Sequence, residues 1–267
     1  MTGLPRIGQP GLFFCATNAD RTGMPGSMFR LERNGVYARL TLDRPEARNA
    51  IPAAGWADLA GRLETVEGSD ARLLVVTGAH ETFCAGADLG DFAAMRGGEA
   101  AIARFREDMR GALDRLRRLA IPTLAVIEGH CYGAGVALAM ACDFRMAKLG
   151  AKFAITPAKL GIAFPQEDVH RLVSLVGPGQ AARLLFTAGI VQGEEAKRIG
   201  LVEYYCVPES EAIEPILAND PESLKHLKQA IAHAGEGVRS DPEMDRRFDA
   251  LLGGDEMARR LEALRRK

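Results

Sequence analysis

The sequence predicts an α/β fold in which short buried strands are joined by helical crossovers, and three observations carry that expectation. Short runs rich in apolar and β-branched residues, Arg72–Thr77, Thr123–Ile127 and Phe144–Ala147, alternate with longer helical patterns, as in sheets covered on both faces. Two loops of small residues follow such strands directly: His80–Leu89, which contains Ala85-Gly86-Ala87-Asp88, and Glu128–Gly135, which ends in Gly133-Ala134-Gly135. That is where layered α/β folds bind ligands. Finally, Val136–Cys142 is almost uniformly small and apolar, which suits a helix buried on all sides.

Taken in order, residues 1–27 are dense in breakers, Gly3, Pro5, Gly8 and Pro10 among them, and read as a loose N-terminal extension. Met28–Arg33 and Val36–Leu42 alternate about Asn34-Gly35, a two-residue hairpin signal. The polar loop Asp43–Asn49 leads into a helix with Pro52 in its first turn, ending near Val66. After the strand Arg72–Thr77, an amphipathic helix is expected over Ala100–Leu119, then the strand Thr123–Ile127 behind the helix-breaking Pro122. Phe144–Ala147 and Lys152–Ile155 read as two further strands. Beyond Pro165 the pattern is mostly helical: Glu167–Val176, Gly179–Phe186 and Gly193–Ile199, a strand over Leu201–Val207, then Glu209–Ala218, Pro221–Ala234 and two last helices. No repeat of fixed period is visible. The expected organisation is an extension over 1–27, an α/β core over 28–200 and a C-terminal helical region over 201–267.

Composition narrows the function classes. A formal net charge of −1 gives no global field toward nucleic acid or anionic membrane, so neither is expected as a partner. Six arginines between Arg104 and Arg118 form a basic stretch, read mainly as a solvated face. Five cysteines, an odd number without paired metal spacing, fit reduced thiols in a cytoplasmic protein. No apolar run approaches membrane length. His80, His226 and His233 show no partner spacing, so no metal site is expected.

The two glycine loops carry the chemistry. The first N–H groups of a helix lack intrahelical partners and sit at the positive end of its dipole. A helix start at Gly133-Ala134-Gly135 is therefore either a tightly packed core turn or a site for developing negative charge. Leu42–Ala50 (L-D-R-P-E-A-R-N-A), Phe83–Leu89 (F-C-A-G-A-D-L), Gly133–Gly135 and Ile199–Glu203 (I-G-L-V-E) resemble the crotonase, or enoyl-CoA hydratase/isomerase, superfamily in order and spacing. The resemblance covers about Phe29 to Lys267. It implies a crotonase-type core of repeated β-β-α turns, an acyl-CoA substrate with no separate cofactor, and a homotrimer or dimer of trimers built on the C-terminal region. It also implies an oxyanion hole from the backbone N–H groups of Ala87 and Ala134. Adenine would lie near Arg44 to Ala47, and pantetheine would pass Ala85, Asp88 and Leu89. Gly133, Phe164 and Gln166 are expected in the substrate site.

Hydratases of the superfamily carry two glutamates that activate water, and the matching positions here are Ala137 and Ala158. Neither can move a proton, so hydration by that route is not expected. Thr156-Pro157-Ala158 followed by Leu160-Gly161 resembles the methylmalonyl-CoA-decarboxylase-like branch, in which an oxyanion hole without a base suffices; Thr156 would orient the carboxylate or a water. Phe164 stands where that branch has tyrosine. The expectation is therefore decarboxylation of a malonyl-type CoA ester. The alternatives are isomerisation or hydration using Glu167 as a displaced base, and a non-catalytic acyl-CoA- or RNA-binding homologue. His130 and Tyr132 flank the loop as possible donors, and Cys84 and Cys131 read as small core residues.

Overall fold

The computed structural model of the chain describes residues 27–266; the N-terminal extension read over 1–27 lies outside them except for Ser27. That residue belongs to the fold, its hydroxyl donating to Asp58 Oδ2 at 2.6 Å. Strands β1 (Phe29–Asn34) and β2 (Tyr37–Leu42) form the expected hairpin. Its turn is Gly35-Val36 rather than Asn34-Gly35, because Asn34 still pairs with Tyr37. Gly35 takes φ +61° at the first central position, the place where a tight hairpin turn favours glycine.

Three strand–strand–helix units follow. The first is β3 (Leu74–Gly78), β4 (Thr82–Cys84), α2 (Leu89–Met95) and α3 (Glu99–Arg118), after the helix α1 (Ala53–Glu67). The second is β5 (Thr123–Ile127), β6 (His130–Tyr132) and α4 (Ala134–Ala141). The third is β7 (Phe144–Ala147), β8 (Lys152–Ala154) and α5 (Gln166–Thr187). In each unit the first strand enters a six-stranded sheet, ordered β1-β2-β3-β5-β7-β10, and the second a four-stranded sheet, ordered β4-β6-β8-β9. The short strands are β9 (Val191–Gln192) and β10 (Tyr204–Tyr205), with α6 (Gly193–Arg198) between them. A repeated β-β-α core is thus present although the sequence shows no fixed period, since the connections differ in length from unit to unit.

The central strands β3 and β5 are buried on both faces over most of their length, which explains their mainly apolar, β-branched sequences. Leu74, Val76, Ala125 and Ile127 face the main core beneath α1, α3 and α4. Val75, Leu124, Val126 and Met146 face a second cluster closed by Ala212 and Ile213 of α7 (Ser210–Ala218). Residues 204–213 therefore pack with the sheet. The helices that project from it are α8 (Pro221–Gly235), α9 (Pro242–Leu252) and α10 (Asp255–Arg265), whose buried residues reduce to Met244. Helix α5 breaks at Gly177 (φ +75°) before Pro178, in keeping with the two helices expected there. No helix among the described residues is long and apolar enough to cross a membrane.

Candidate active site

The two glycine loops meet at the C-terminal ends of β4 and β6. Ile51 N–H donates to Gly86 O at 2.8 Å and Asp88 N–H donates to Ile51 O at 2.9 Å, so the chain on either side of Ala87 is tied down. Because N–H directions alternate along an extended chain, Ala87 directs its own N–H away from Ile51. Across from it, Gly133 adopts φ +50°, ψ −114°, a conformation that glycine alone takes at little cost. Gly133 O accepts from Val136 and Ala137, leaving Ala134 as the first residue of α4. Among the described residues neither the Ala87 nor the Ala134 N–H has a protein acceptor.

Close approach of the loops requires the other glycines. A Cβ on Gly135 would lie 2.8 Å from Cys84 Cβ and O, and one on Gly86 would lie 3.2 Å from Tyr132 O and 3.8 Å from Ala134 N. Gly86 also has φ +113°.

Both loops open onto a cavity of about 850 Å³. Its walls include Ala85, Ala87, Leu89, Gly133, Ala134, Ala137, Thr156 and Phe164, all expected from the sequence, together with Phe92, Phe105, Met109 and Ile162. The aromatic part of the wall is ordered by an edge-to-face contact between Phe92 and Phe105, with centroids 5.5 Å apart. Such a cavity suits an extended apolar group ending at two backbone donors.

Several expected residues lie elsewhere. Glu167 is outside the cavity wall: its side chain is 43 % exposed and ion-paired with Arg110. Gln166 and Ala158 are exposed and do not line the cavity, nor do His130 and Tyr132. Arg44, Ala47 and Asp88 also stand off it. Arg44 Nη1 donates to Asp88 Oδ2 at 2.6 Å and to Ala50 O at 3.1 Å. Arg44 and the Gly90 N–H hold the Asp88 carboxyl below the usual carboxylate range. This pair latches the Asp43–Asn49 loop to the first turn of α2, which Asp88 also caps. The thiols are inert in character: burial pushes Cys84 up to about 12 and raises Cys131 well above an ordinary thiol. Half of the basic stretch on α3 is neutralised, Arg110, Arg115 and Arg117 pairing with Glu167, Glu64 and Asp114.

Among the described residues the carboxyl group that lines the cavity is that of Asp168, which the sequence does not set apart from its neighbours Gln166 and Glu167. Its side chain is only 4 % exposed and contacts Arg171 Nη1 at 3.4 Å. Burial raises it to about 6, with Arg171 pulling downward and Glu167 and Asp114 pushing up.

A mixed α/β core of repeated strand–strand–helix units, with two small-residue loops opening onto one cavity, is an architecture that a known enzyme family shares. The family model of enoyl-CoA hydratase/isomerase matches residues 32–249, and the chain belongs to that family. It is 31 % identical over 255 residues to the enoyl-CoA isomerase/hydratase of Mycosarcoma maydis, covering 88 % of this chain and 92 % of that protein. It is 32 % identical to the short-chain-enoyl-CoA hydratase of Clostridium acetobutylicum (84 % and 87 % covered), and 27 % identical to the ethylmalonyl-CoA decarboxylase of Mus musculus (91 % and 78 % covered). Among solved structures, an enoyl-CoA hydratase/isomerase family protein of Hyphomonas neptunium superimposes with a TM-score of 0.83 at 32 % identity, covering 89 % of this chain and 94 % of that one.

Proposed function

We propose that the protein moves a double bond in an enoyl-CoA thioester, holding the thioester oxygen between the Ala87 and Ala134 N–H groups while its charge develops as an enolate. The observation that carries this reading is the pair of unpartnered N–H groups at the end of the cavity. Such donors act without reorganisation in a water-poor site, each being worth about 3–4 kcal/mol of barrier. Isomerisation needs one carboxyl group to carry one proton, and among the described residues one carboxyl, that of Asp168, lines the wall. Hydration by the two-carboxylate route lacks its groups, since the matching positions are Ala137 and Ala158. The aromatic wall of Phe92, Phe105 and Phe164 favours an acyl group larger than crotonyl.

Decarboxylation of a malonyl-type ester is the second reading. It is favoured by Thr156 in the cavity wall, by the Thr156–Gly161 pattern, and by the likeness to a decarboxylase. Its premise, a pocket without a carboxylate to repel that of the substrate, is weakened by Asp168. The test is incubation with 3-enoyl-, 2-enoyl- and ethylmalonyl-CoA esters, read by mass and by carbon dioxide release. Interconversion of the enoyl esters supports the first reading. Loss of carbon dioxide with no interconversion replaces it by the second.

A further inference from the structure

We propose that Asp168 is the proton carrier of this site and that the Asp114–Arg171 pair positions it. This rests on the acyl-CoA reading above and names the group that does its chemistry.

The geometry distinguishes Asp168 from a structural ion pair. Arg171 makes its shorter bond, 2.8 Å through Nη2, to Asp114 Oδ1 on α3, and touches Asp168 at 3.4 Å through Nη1. Among the described residues no other side chain bonds to the Asp168 carboxylate. An ionised carboxylate has about four acceptor sites, and burying them with one long contact is costly. A carboxyl placed only to start a helix would face solvent, as Glu167 does one residue earlier. Asp168 is instead buried and lines the same cavity as Ala87 and Ala134.

The charges around it come from three directions. Helix α5 contributes Glu167 and Arg171; α3 contributes Arg110, Asp114 and Arg117. Arg96 and Lys159 line the same cavity at exposed positions. Arg110 and Glu167 pair with each other, so their fields at Asp168 partly cancel. The cation that remains close is Arg171, clamped by Asp114 so that it favours the ionised form without consuming it.

In isomerisation the Asp168 carboxylate removes a proton from C2 of a 3-enoyl thioester. The C2–H electrons become the new C–C π bond of the enolate, whose oxygen is held by the two N–H groups. The carbonyl then re-forms, the C2=C3 bond is made, and the old C3=C4 electrons take the proton back from Asp168 at C4. Proton and electrons balance with no co-reactant.

The test is exchange of the C2 hydrogens of octanoyl-CoA in deuterated water, followed by mass, with binding of the same ester followed by calorimetry. Asp168→Asn should lose exchange by about 10²–10⁴-fold while binding changes little, and Asp168→Glu should restore part of the rate. Arg171→Met should move the pH midpoint of exchange upward, because the cation that favours ionisation is gone; a purely structural role would leave the midpoint in place. Glu167→Gln should stay within about twofold of the parent in rate. Exchange by Asp168→Asn within a few-fold of the parent overturns the proposal, and so does a parent that binds octanoyl-CoA yet exchanges nothing, which leaves the acyl-CoA reading standing. A parent that binds no CoA ester overturns both.

Discussion

Replacing Asp168 by asparagine should make the protein more stable at neutral and alkaline pH, and the size of the gain follows from the titration of the buried carboxyl. The group ionises at about 6 in the folded chain, against 3.8 ordinarily. Between these two values the folded state binds more protons than the unfolded one, so stability falls as pH rises through that window. Above about pH 6 the deficit is constant. A difference of about two pH units at 1.36 kcal/mol each is about 3 kcal/mol. The amide must itself find partners in an apolar wall, so a gain of about 1–3 kcal/mol is expected at pH 8. Arg171 keeps its 2.8 Å bond to Asp114 in the variant, so no new unpaired cation is created. Denaturant unfolding at fixed protein concentration, at pH 8 and pH 4.5, measures the effect; the gap between variant and parent should narrow clearly at pH 4.5, which still lies above the ordinary 3.8. A variant less stable than the parent at pH 8, or a gap independent of pH, would refute the reasoning and recast Asp168–Arg171 as a stabilising ion pair. A more stable, less active variant is the pattern expected where a strained group serves function.

Ala134→Pro should leave a folded protein, since proline is tolerated at a first helical position, yet remove one oxyanion donor and lower turnover by about 10²–10³-fold; Ala134→Ser, which keeps the N–H, should retain far more. Gly135→Ala should cost about 1–3 kcal/mol in unfolding experiments and most of the activity, because its Cβ would meet Cys84 at 2.8 Å. Cys84 and Cys131 should resist alkylation in the native protein at pH 8 and react only after unfolding, given their buried, raised thiols; rapid native labelling, read by mass, would count against the packing described. Helices α8–α10 expose Ile231, Phe248 and Leu264, Ile231 at 73 %, and sedimentation should show a trimer or a dimer of trimers; a monomer at micromolar concentration would refute this expectation.

The strands that the sequence makes legible are those whose environment is uniform. Thr123–Ile127 and Phe144–Ala147 appear at the expected bounds, because strands buried on both faces are mostly apolar; the exception, Arg145, is buried with its guanidinium bonded to Glu203, Leu201 O and Cys142 O. The buried helix after Gly133 is legible for the same reason, and the two loops because only small residues permit their approach. Strands β4, β6 and β9 span two or three residues each, too few to show a period. They become strands only because the small sheet brings neighbours to them.

The site divides along the same line. The unpartnered N–H groups of Ala87 and Ala134 are encoded locally, by a glycine on one side or both and a strand end before them. The Arg44–Asp88 latch joins residues 44 positions apart, and nothing local in either segment specifies it. The choice among Gln166, Glu167 and Asp168 is the clearest case. Successive residues of a helix point about 100° apart, so three polar side chains in one turn face three directions, and composition cannot tell which faces the ligand. The docking of α5 against α3 and α4 turns Asp168 into the cavity and leaves Glu167 to Arg110 at the surface. The sequence by itself determined that a helix begins there with acids in its first turn; only tertiary packing, by removing water from one of them, decided which acid can hold a proton near neutral pH.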